Sequence, residues 1–123
     1  MEKTTFALLA VGAGACIALQ ASANGNFRQR LGDNPLAAAY ISIVGTIAVA
    51  TLAVLLLRPR VPTAAQLGDA PWWNWIGGPL GALIVLAGAA LAPRLGAAVF
   101  IALVVSGQLL CWLALDHFSL MGL

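Results

Sequence analysis

Four apolar stretches, each close to the length of helix that crosses a lipid bilayer, restrict what this chain can fold into. About 20 residues of α-helix span the hydrocarbon core, and the stretches cover residues 6–23, 36–57, 72–92 and 96–115. Buried strands are shorter, at about 4–8 residues, and no alternation of period two indicates a membrane barrel. Because lipid offers no partners for backbone amides, continuous segments of this length form helices. We predict an all-α membrane protein in which residues 1–123 form a single domain of four transmembrane helices.

The composition indicates that lipid, rather than water, surrounds most of the surface. Hydrophobic residues make up 62% of the chain and charged residues only 8%, against about 25% charged in ordinary soluble domains. The net charge of +2 is small and its basic residues are scattered, so nucleic acid is not an expected partner. Neither Cys16 nor Cys111 belongs to a CxxC or Cys/His motif. We therefore expect no metal site and no cofactor.

The first stretch also has the form of a signal peptide. Met1-Glu2-Lys3 precede the apolar run, and Ala21-Ser22-Ala23 follows the pattern of a cleavage site. Cleavage would leave three helices without their partner, so we expect the first helix to be retained.

The third stretch begins with a tryptophan cluster, Trp72, Trp73 and Trp75, and continues into a glycine-rich segment with Pro79. Indole rings favour the headgroup region, so the cluster fits an interfacial aromatic belt. One of the three rings of such a belt could face inward. The alternative is that the cluster forms an aromatic wall for a flat or cationic substrate. Because proline removes a backbone donor and clashes one turn back, we expect a kink or break near Pro79.

The positive charges are balanced between the two ends of such a bundle. With four helices, one side holds Lys3, Arg58 and Arg60, and the other holds Arg28, Arg30 and Arg94. An excess of Lys and Arg normally selects the cytoplasmic side, and here the excess is zero. Two oppositely inserted copies could then pair as an antiparallel homodimer, which is the unfused form of an inverted repeat.

Polar side chains at membrane depth are costly and are therefore candidates for function. Four-residue spacing, which places residues on one helical face, relates three sets: Gly12, Cys16, Gln20 and Asn24; Ser42 and Thr46; and Gln108, Trp112 and Asp116. The serine and threonine hydroxyls could simply bond their own helix, and the glutamines could bond neighbouring helices. Asp116 and His117 could form a solvated helix end. No nucleophile with a base, phosphate loop or metal spacing is present, so we predict that the chain is not an enzyme.

Five groups of residues carry a resemblance to a known family. They are Leu19-Gln20-Ala21 with Asn24; Asn34-Pro35-Leu36-Ala37-Ala38; Pro71-Trp72-Trp73; Leu91-Ala92-Pro93-Arg94-Leu95-Gly96-Ala97; and Ser106-Gly107-Gln108-Leu109 with Asp116-His117-Phe118. In these segments the chain resembles the YdcZ-type small inner-membrane proteins, bacterial relatives of the drug/metabolite transporter superfamily. Such proteins usually continue past the Asp-His-Phe segment into a further helix, whereas this sequence stops at Leu123.

The resemblance implies a bacterial inner (plasma) membrane transporter that moves a small polar or amphipathic solute through a cavity at a dimer interface. The partner would be a second, antiparallel copy or a homologous chain of opposite orientation; the alternative is an accessory subunit that transports nothing. Small multidrug resistance proteins carry a glutamate in the first helix, but residues 11–19 here contain no acid, so proton coupling by that mechanism is not expected. Because neutral amides and an indole dominate the candidate residues of the cavity, we expect a neutral or weakly charged substrate. We expect Gly12 and Cys16 to line the cavity and Asp116 to lie at its entrance, and the predicted substrate-binding residues are Gln20, Asn24, Ser42, Trp73, Gln108 and Asp116.

Overall fold

The computed structural model describes residues 2–122, and its four long apolar helices confirm the predicted all-α membrane architecture. The helices are α1 (Glu2–Arg30), α2 (Pro35–Leu57), the short α3 (Ala64–Gly68), α4 (Gly77–Leu95) and α5 (Ala97–His117), with a 3₁₀ turn at Trp72–Trp75. A further turn at Leu120–Gly122 contains Met121 in a left-handed conformation with a φ of +60°. The most apolar 18-residue windows of α1, α2, α4 and α5 have mean hydropathies of 1.8, 2.4, 1.5 and 2.3. Each of these four helices can cross a bilayer.

The first two spans are joined by a short turn that local chemistry defines. α1 continues to Arg30, seven residues beyond the end predicted at Ala23. In this added segment Asn24 and Arg28 are buried, and Arg28 donates a hydrogen bond to α4. The Asn34 side chain then caps α2 by accepting a hydrogen bond from the Ala37 amide at 3.0 Å. Pro35 follows at the first helical position, where its missing N–H costs nothing.

The third span begins later than predicted. The tryptophan cluster forms a 3₁₀ turn, and α4 starts at Gly77 rather than Trp72. The break therefore falls at Ile76, before Pro79, and Pro79 lies in the first turn of α4, where proline is tolerated. The connection before it contains α3, which is capped by reciprocal hydrogen bonds between Thr63 and Gln66.

The turn between the third and fourth spans is also tighter than predicted. Residues Pro93–Leu95 form the end of α4 instead of a loop, and the chain reverses at Gly96. Gly96 has a φ of +85°, a conformation that glycine adopts without a Cβ penalty. α4 and α5 are thereby joined by a single residue.

α4 lies at the centre of the bundle, where it packs against α1, α2 and α5. We call the end with the α1–α2 and α4–α5 turns the turn end, and the end with Glu2 and the connection at 58–76 the loop end. The described basic residues divide between them as the sequence indicates: Arg28, Arg30 and Arg94 belong to the turn end, and Lys3, Arg58 and Arg60 to the loop end.

The helices pack tightly only toward the turn end. Every buried residue of the described chain lies in the half of its helix nearest that end: Ala21, Asn24, Gly25 and Arg28; Ala38 and Ala39; Gly88, Ala89 and Ala92; and Phe100. Most of these residues are small, which lets the backbones approach closely. Toward the loop end, residues 2–17 of α1 and 44–57 of α2 are all exposed. The bundle is therefore closed at one end and splayed at the other.

The single chain leaves an unusually large surface uncovered. Its accessible surface is 9569 Å², whereas a compact soluble protein of 12.6 kDa would expose about 6200 Å² by the usual scaling with mass. The excess consists of apolar side chains on all sides of the long helices. Lipid can cover such a surface, and so can another helical chain.

Candidate functional site

Gln20 lies at mid-depth in the bundle, on the floor of an open groove between α2 and α4. The groove has a volume of about 500 Å³ and is lined by Gln20, Ile43, Thr46, Ile47, Gly77, Gly78, Gly81, Ala82, Ile84 and Val85. Thr46 is the central residue of α2, and Ile84 and Val85 lie near the middle of α4. Gln20 thus lies level with the midpoints of α2 and α4, and in a bilayer spanned by these helices an unpaired polar group at that depth would be costly.

The groove exists because the start of α4 lacks side chains. Gly77, Gly78 and Gly81 line it, and a Cβ placed on any of them would meet no atom within 4 Å. The opposite wall is formed by branched apolar residues of α2. The result is an apolar groove whose polar groups are the Gln20 amide and the Thr46 hydroxyl.

The Thr46 hydroxyl is already engaged in its own helix. It donates to the carbonyl oxygen of Ser42 at 3.1 Å, a common arrangement for threonine in membrane helices. Ser42 is half-buried and lies one turn nearer the turn end, beside the groove rather than in its lining. Gln20 is therefore the stronger candidate for contact with a solute.

A second, much smaller cavity lies behind Gln20. Its volume is about 20 Å³, and its walls come from α1, α4 and α5: Ile17, Gln20, Ala21, Asn24, Ile84, Val85, Gly88, Phe100 and Val104. Gln20, Ile84 and Val85 line both spaces, so Gln20 separates the groove from the cavity. Asn24, only 7% exposed, lines the cavity one turn further along α1.

Asn24 has an unusual environment for a buried amide. Its Nδ2 atom is buried and has no hydrogen-bond partner, and it is the one such side-chain atom among the described residues. A buried donor without a partner costs about 1–3 kcal/mol. Of the six predicted substrate-binding residues, Gln20 and Asn24 are the two that the structure brings together.

Arg28 lies one helical turn beyond Asn24 on the same face of α1, near the turn end of the bundle, and is buried. Its Nε donates to the Asp33 carboxylate at 2.6 Å, and its Nη1 donates to the carbonyl oxygen of Ala90 in α4 at 2.7 Å. Asp33 lies in the α1–α2 turn, outside the spanning segments. The hydrogen bond from Arg28 lowers the pKa of Asp33, and the charges of Arg28 and Arg94 lower it further, while desolvation acts in the opposite direction.

Sequence reasoning did not select Arg28, although a signal was available. The four-residue spacing of Gln20 and Asn24 continues to position 28, which places the guanidinium on the same face of α1. The arginine was assigned only to the charge balance between the two ends. Its burial against α4 gives it a structural role as well.

Trp73 lies apart from Gln20, at the loop end. With Trp72, Ile76, Leu115, Ser119, Leu120 and Met121 it lines a separate apolar groove of about 400 Å³. The Trp72 and Trp73 rings meet edge to face with their centroids 6.0 Å apart. The position of this pair at a helix end fits the expected aromatic belt.

Gln108 and Asp116, both on α5, are exposed in the single chain and line none of the spaces described above. Gly12 and Cys16 are likewise exposed, on the splayed half of α1. The described chain thus assembles Gln20 and Asn24 into one site, with Ser42 beside the groove and Trp73 in the separate loop-end groove, and leaves Gln108 and Asp116 exposed. Among residues 2–122 there is no cluster of three His, Cys, Asp or Glu side chains that could hold a metal ion.

Comparison with known families places these features in context. Residues 5–123 match the model of a family named DMT_YdcZ and described as "Putative inner membrane exporter, YdcZ". The match covers nearly the whole chain, including all four spans. No curated protein and no solved structure matched the chain.

Proposed function

This chain belongs to the YdcZ family of inner membrane exporters, and from that membership we propose that it moves a small, neutral polar or amphipathic solute through a site built on Gln20. The family match confirms the expected resemblance and the inner-membrane localisation, and it supports a transport role. The solute, the site and the oligomer are our proposals.

The observation that carries the proposal is the position of the Gln20 amide. It lies at mid-depth on the floor of a groove of about 500 Å³, a volume within the usual range of about 300–1,000 Å³ for small-molecule sites. Apolar walls with one or two polar groups bind an amphipathic solute, because the walls take its apolar body and the amide fixes its polar group. A mid-membrane amide with no structural partner in its own chain is well suited to a passing solute.

The lining also supports a neutral solute. No acidic or basic side chain is among the residues that line the groove, so a charged solute would lose its hydration without an opposite charge. Gln20 can both donate and accept hydrogen bonds, which suits alcohols, amides and other uncharged polar groups. Asp116, exposed at the loop end of α5, is placed to meet solutes at the entrance.

The transporting unit is two copies of the chain inserted in opposite orientations. Support comes from the equal division of six basic residues between the two ends and from the large uncovered apolar surface. An antiparallel partner would cover the splayed half of α1 around Gly12 and Cys16. Ser42, Trp73 and the exposed Gln108 could then reach a shared cavity. A homologous chain of opposite orientation could replace the second copy.

Flux through reconstituted proteoliposomes tests the transport proposal. A panel of small neutral alcohols, amides and amines is loaded one at a time, and we expect saturable flux for at least one of them. Gln20→Leu removes the polar group while keeping the side-chain volume, and we expect about a tenfold loss of flux, equal to about 1.4 kcal/mol. Gln29→Leu, an exposed glutamine on the same helix, is the matched control and should transport normally. Absence of flux for every solute, or normal flux in Gln20→Leu, would instead favour the accessory-subunit alternative.

Cysteine labelling tests the orientation. Ala64→Cys places a reactive thiol in the exposed connection at the loop end. For dual topology we expect a membrane-impermeant maleimide to label it from both sides of the membrane in comparable yield. Labelling from one side alone would reject the antiparallel homodimer and indicate a parallel oligomer or an oppositely oriented partner chain.

A further inference from the structure

The small cavity behind Gln20 has the properties of a binding site for a single oxygen atom. We propose that Asn24 Nδ2 donates a hydrogen bond to a neutral acceptor oxygen held there, supplied either by a resident water or by the terminal oxygen of a solute. The second source rests on the proposed function, whereas the first does not. Nothing in the family description assigns such a site.

The side-chain amide of Asn24 lacks a hydrogen-bond acceptor among the described residues. Asn24 is only 7% exposed and its Nδ2 lacks a hydrogen-bond partner, although nearly all buried polar groups in proteins have one. In the membrane interior bulk water cannot supply that partner. Because the described residues of the chain supply no acceptor either, a small molecule that enters the cavity is the acceptor we propose.

The cavity beside the Asn24 amide is large enough for one oxygen atom. The cavity that Asn24 lines has a volume of about 20 Å³, and a water molecule needs about 10–15 Å³ measured in this way. The space therefore accommodates a water-sized group such as one oxygen atom. Any solute that uses it must place one terminal oxygen past Gln20 and leave its body in the groove.

The cavity has no charged side chain in its lining. The lining residues other than Gln20 and Asn24 are apolar, so neither an ammonium nor a carboxylate would find an opposite charge there. Arg28, the nearest cation along this face of α1, does not line the cavity and already donates to Asp33 and Ala90. Two amides can hold one oxygen, since both can donate to it. The occupant is consequently an uncharged water, carbonyl or hydroxyl oxygen.

Thermal unfolding in detergent tests the site without a transport assay. Asn24→Leu removes the donor while keeping a similar volume, and Asn26→Leu is the matched control because Asn26 lies exposed two residues away. If a water is resident, Asn24→Leu lowers the unfolding midpoint by about 4 °C or more with no solute added, whereas Asn26→Leu does not. This result supports the proposal even if no flux is found.

The second source is tested by adding benzamide, a neutral probe with a carbonyl oxygen, and toluene, which lacks one. If the oxygen belongs to the solute, the donor is unpaired without probe, so the midpoint of Asn24→Leu equals or exceeds that of the wild type. Benzamide, but not toluene, then raises the midpoint of the wild type, and Asn24→Leu loses this rise. A midpoint that is unchanged or raised without probe, together with an unaltered or absent response to benzamide, overturns the proposal. Should Asn24→Leu fail to fold, Asn24→Ser retains a donor and Asn24→Ala does not. A higher midpoint for Asn24→Ser then supports the site, and equal midpoints overturn it.

Discussion

The guanidinium of Arg28 is buried while its ion-pair partner, the carboxylate of Asp33, remains in solvent. Nε and Oδ1 are 2.6 Å apart, with side-chain exposures of 7% for the arginine and 70% for the aspartate. Asp33 reaches back to the helix because the chain turns through two left-handed residues, Gly32 with φ +72° and Asp33 with φ +61°. Arg28 also donates a hydrogen bond to the carbonyl oxygen of Ala90. Its side chain therefore links the end of α1 both to the following turn and to α4. It holds closed the end of the bundle where the helices are packed.

Arg28→Leu should therefore open the turn end. The substitution removes the hydrogen bond to Ala90 and the ion pair with Asp33, and we expect the free energy of unfolding to fall by about 1–3 kcal/mol. Arg30→Leu is the matched control, because the exposed Arg30 makes only a 3.4 Å contact with Asn26. The measurement is unfolding in mixed detergent, followed by circular dichroism. Equal losses for the two variants would contradict a special role for Arg28.

The lowered pKa of Asp33 predicts how stability depends on pH. Because this pKa is lower in the folded chain than the unfolded value of about 3.9, the carboxylate stabilises the fold fully above about pH 4. That contribution is lost as the pH falls through the folded pKa. We expect the unfolding midpoint to decrease below about pH 4 in the wild type and to decrease less in Asp33→Asn. Parallel pH profiles for the two proteins would show that the ion pair does not contribute.

Gly25 provides a test of the packing between α1 and α4. A Cβ at Gly25 would lie 2.9 Å from Cγ and 3.1 Å from Cδ of the Pro93 ring, which has little freedom to move, whereas one at Gly12 would meet nothing within 4 Å. We expect Gly25→Ala to destabilise the monomer by about 1–3 kcal/mol through overpacking. Gly12→Ala should be neutral or stabilising by up to about 1 kcal/mol through helix propensity. The comparison is made by detergent unfolding at protein concentrations low enough to separate any dimer.

Gly88→Ala adds an intermediate case to this series. A Cβ there would make ordinary contacts at 3.5 Å with Ala21 and 3.9 Å with Phe100, so we expect a smaller loss than for Gly25→Ala. A loss at Gly12 as large as that at Gly25 would contradict the packing described for the single chain.

Filling the groove should impair transport without unfolding the protein. Gly81→Leu places a side chain in the groove at a position where a Cβ meets no atom within 4 Å, and we expect at least a tenfold fall in flux with an unchanged unfolding midpoint. Gly45→Leu is the control, because Gly45 is equally uncrowded but does not line the groove. A normal flux in Gly81→Leu would place the solute path elsewhere.

The sequence was most informative where a single physical requirement dominated. The four spans follow from the length of the apolar runs, and Gln20 and Asn24 were placed on one face by helical periodicity alone. The start of the third span was predicted too early because the tryptophans are as apolar as the helix that follows them. Only the 3₁₀ turn and the break at Ile76 separate the two. The helix in the connection was overlooked, although Thr63 and Gln66 have the spacing of a capping box.

The relative rotation of the helices was much harder to predict. α1, α2 and α5 are apolar around most of their circumference, so their few polar residues do not indicate which side of each helix meets a neighbour. For this reason the sequence could not show that Gln20 would join a groove with α2 and α4 while Gln108 on α5 would face outward. In lipid such choices depend on close contacts between small residues, as Gly88 and Ala21 illustrate.

The central claim, that two oppositely inserted copies form the transporter, is tested most directly by flux from variants locked in one orientation. Lysines at exposed loop-end positions (Val61→Lys, Ala64→Lys and Ala65→Lys) should retain that end in the cytoplasm, and lysines at exposed turn-end positions (Asn26→Lys, Gln29→Lys and Leu95→Lys) should retain the other. For a solute carried by the wild type, we predict that each variant alone is inactive and that the two expressed together restore flux. Full flux from either locked variant alone would contradict the claim.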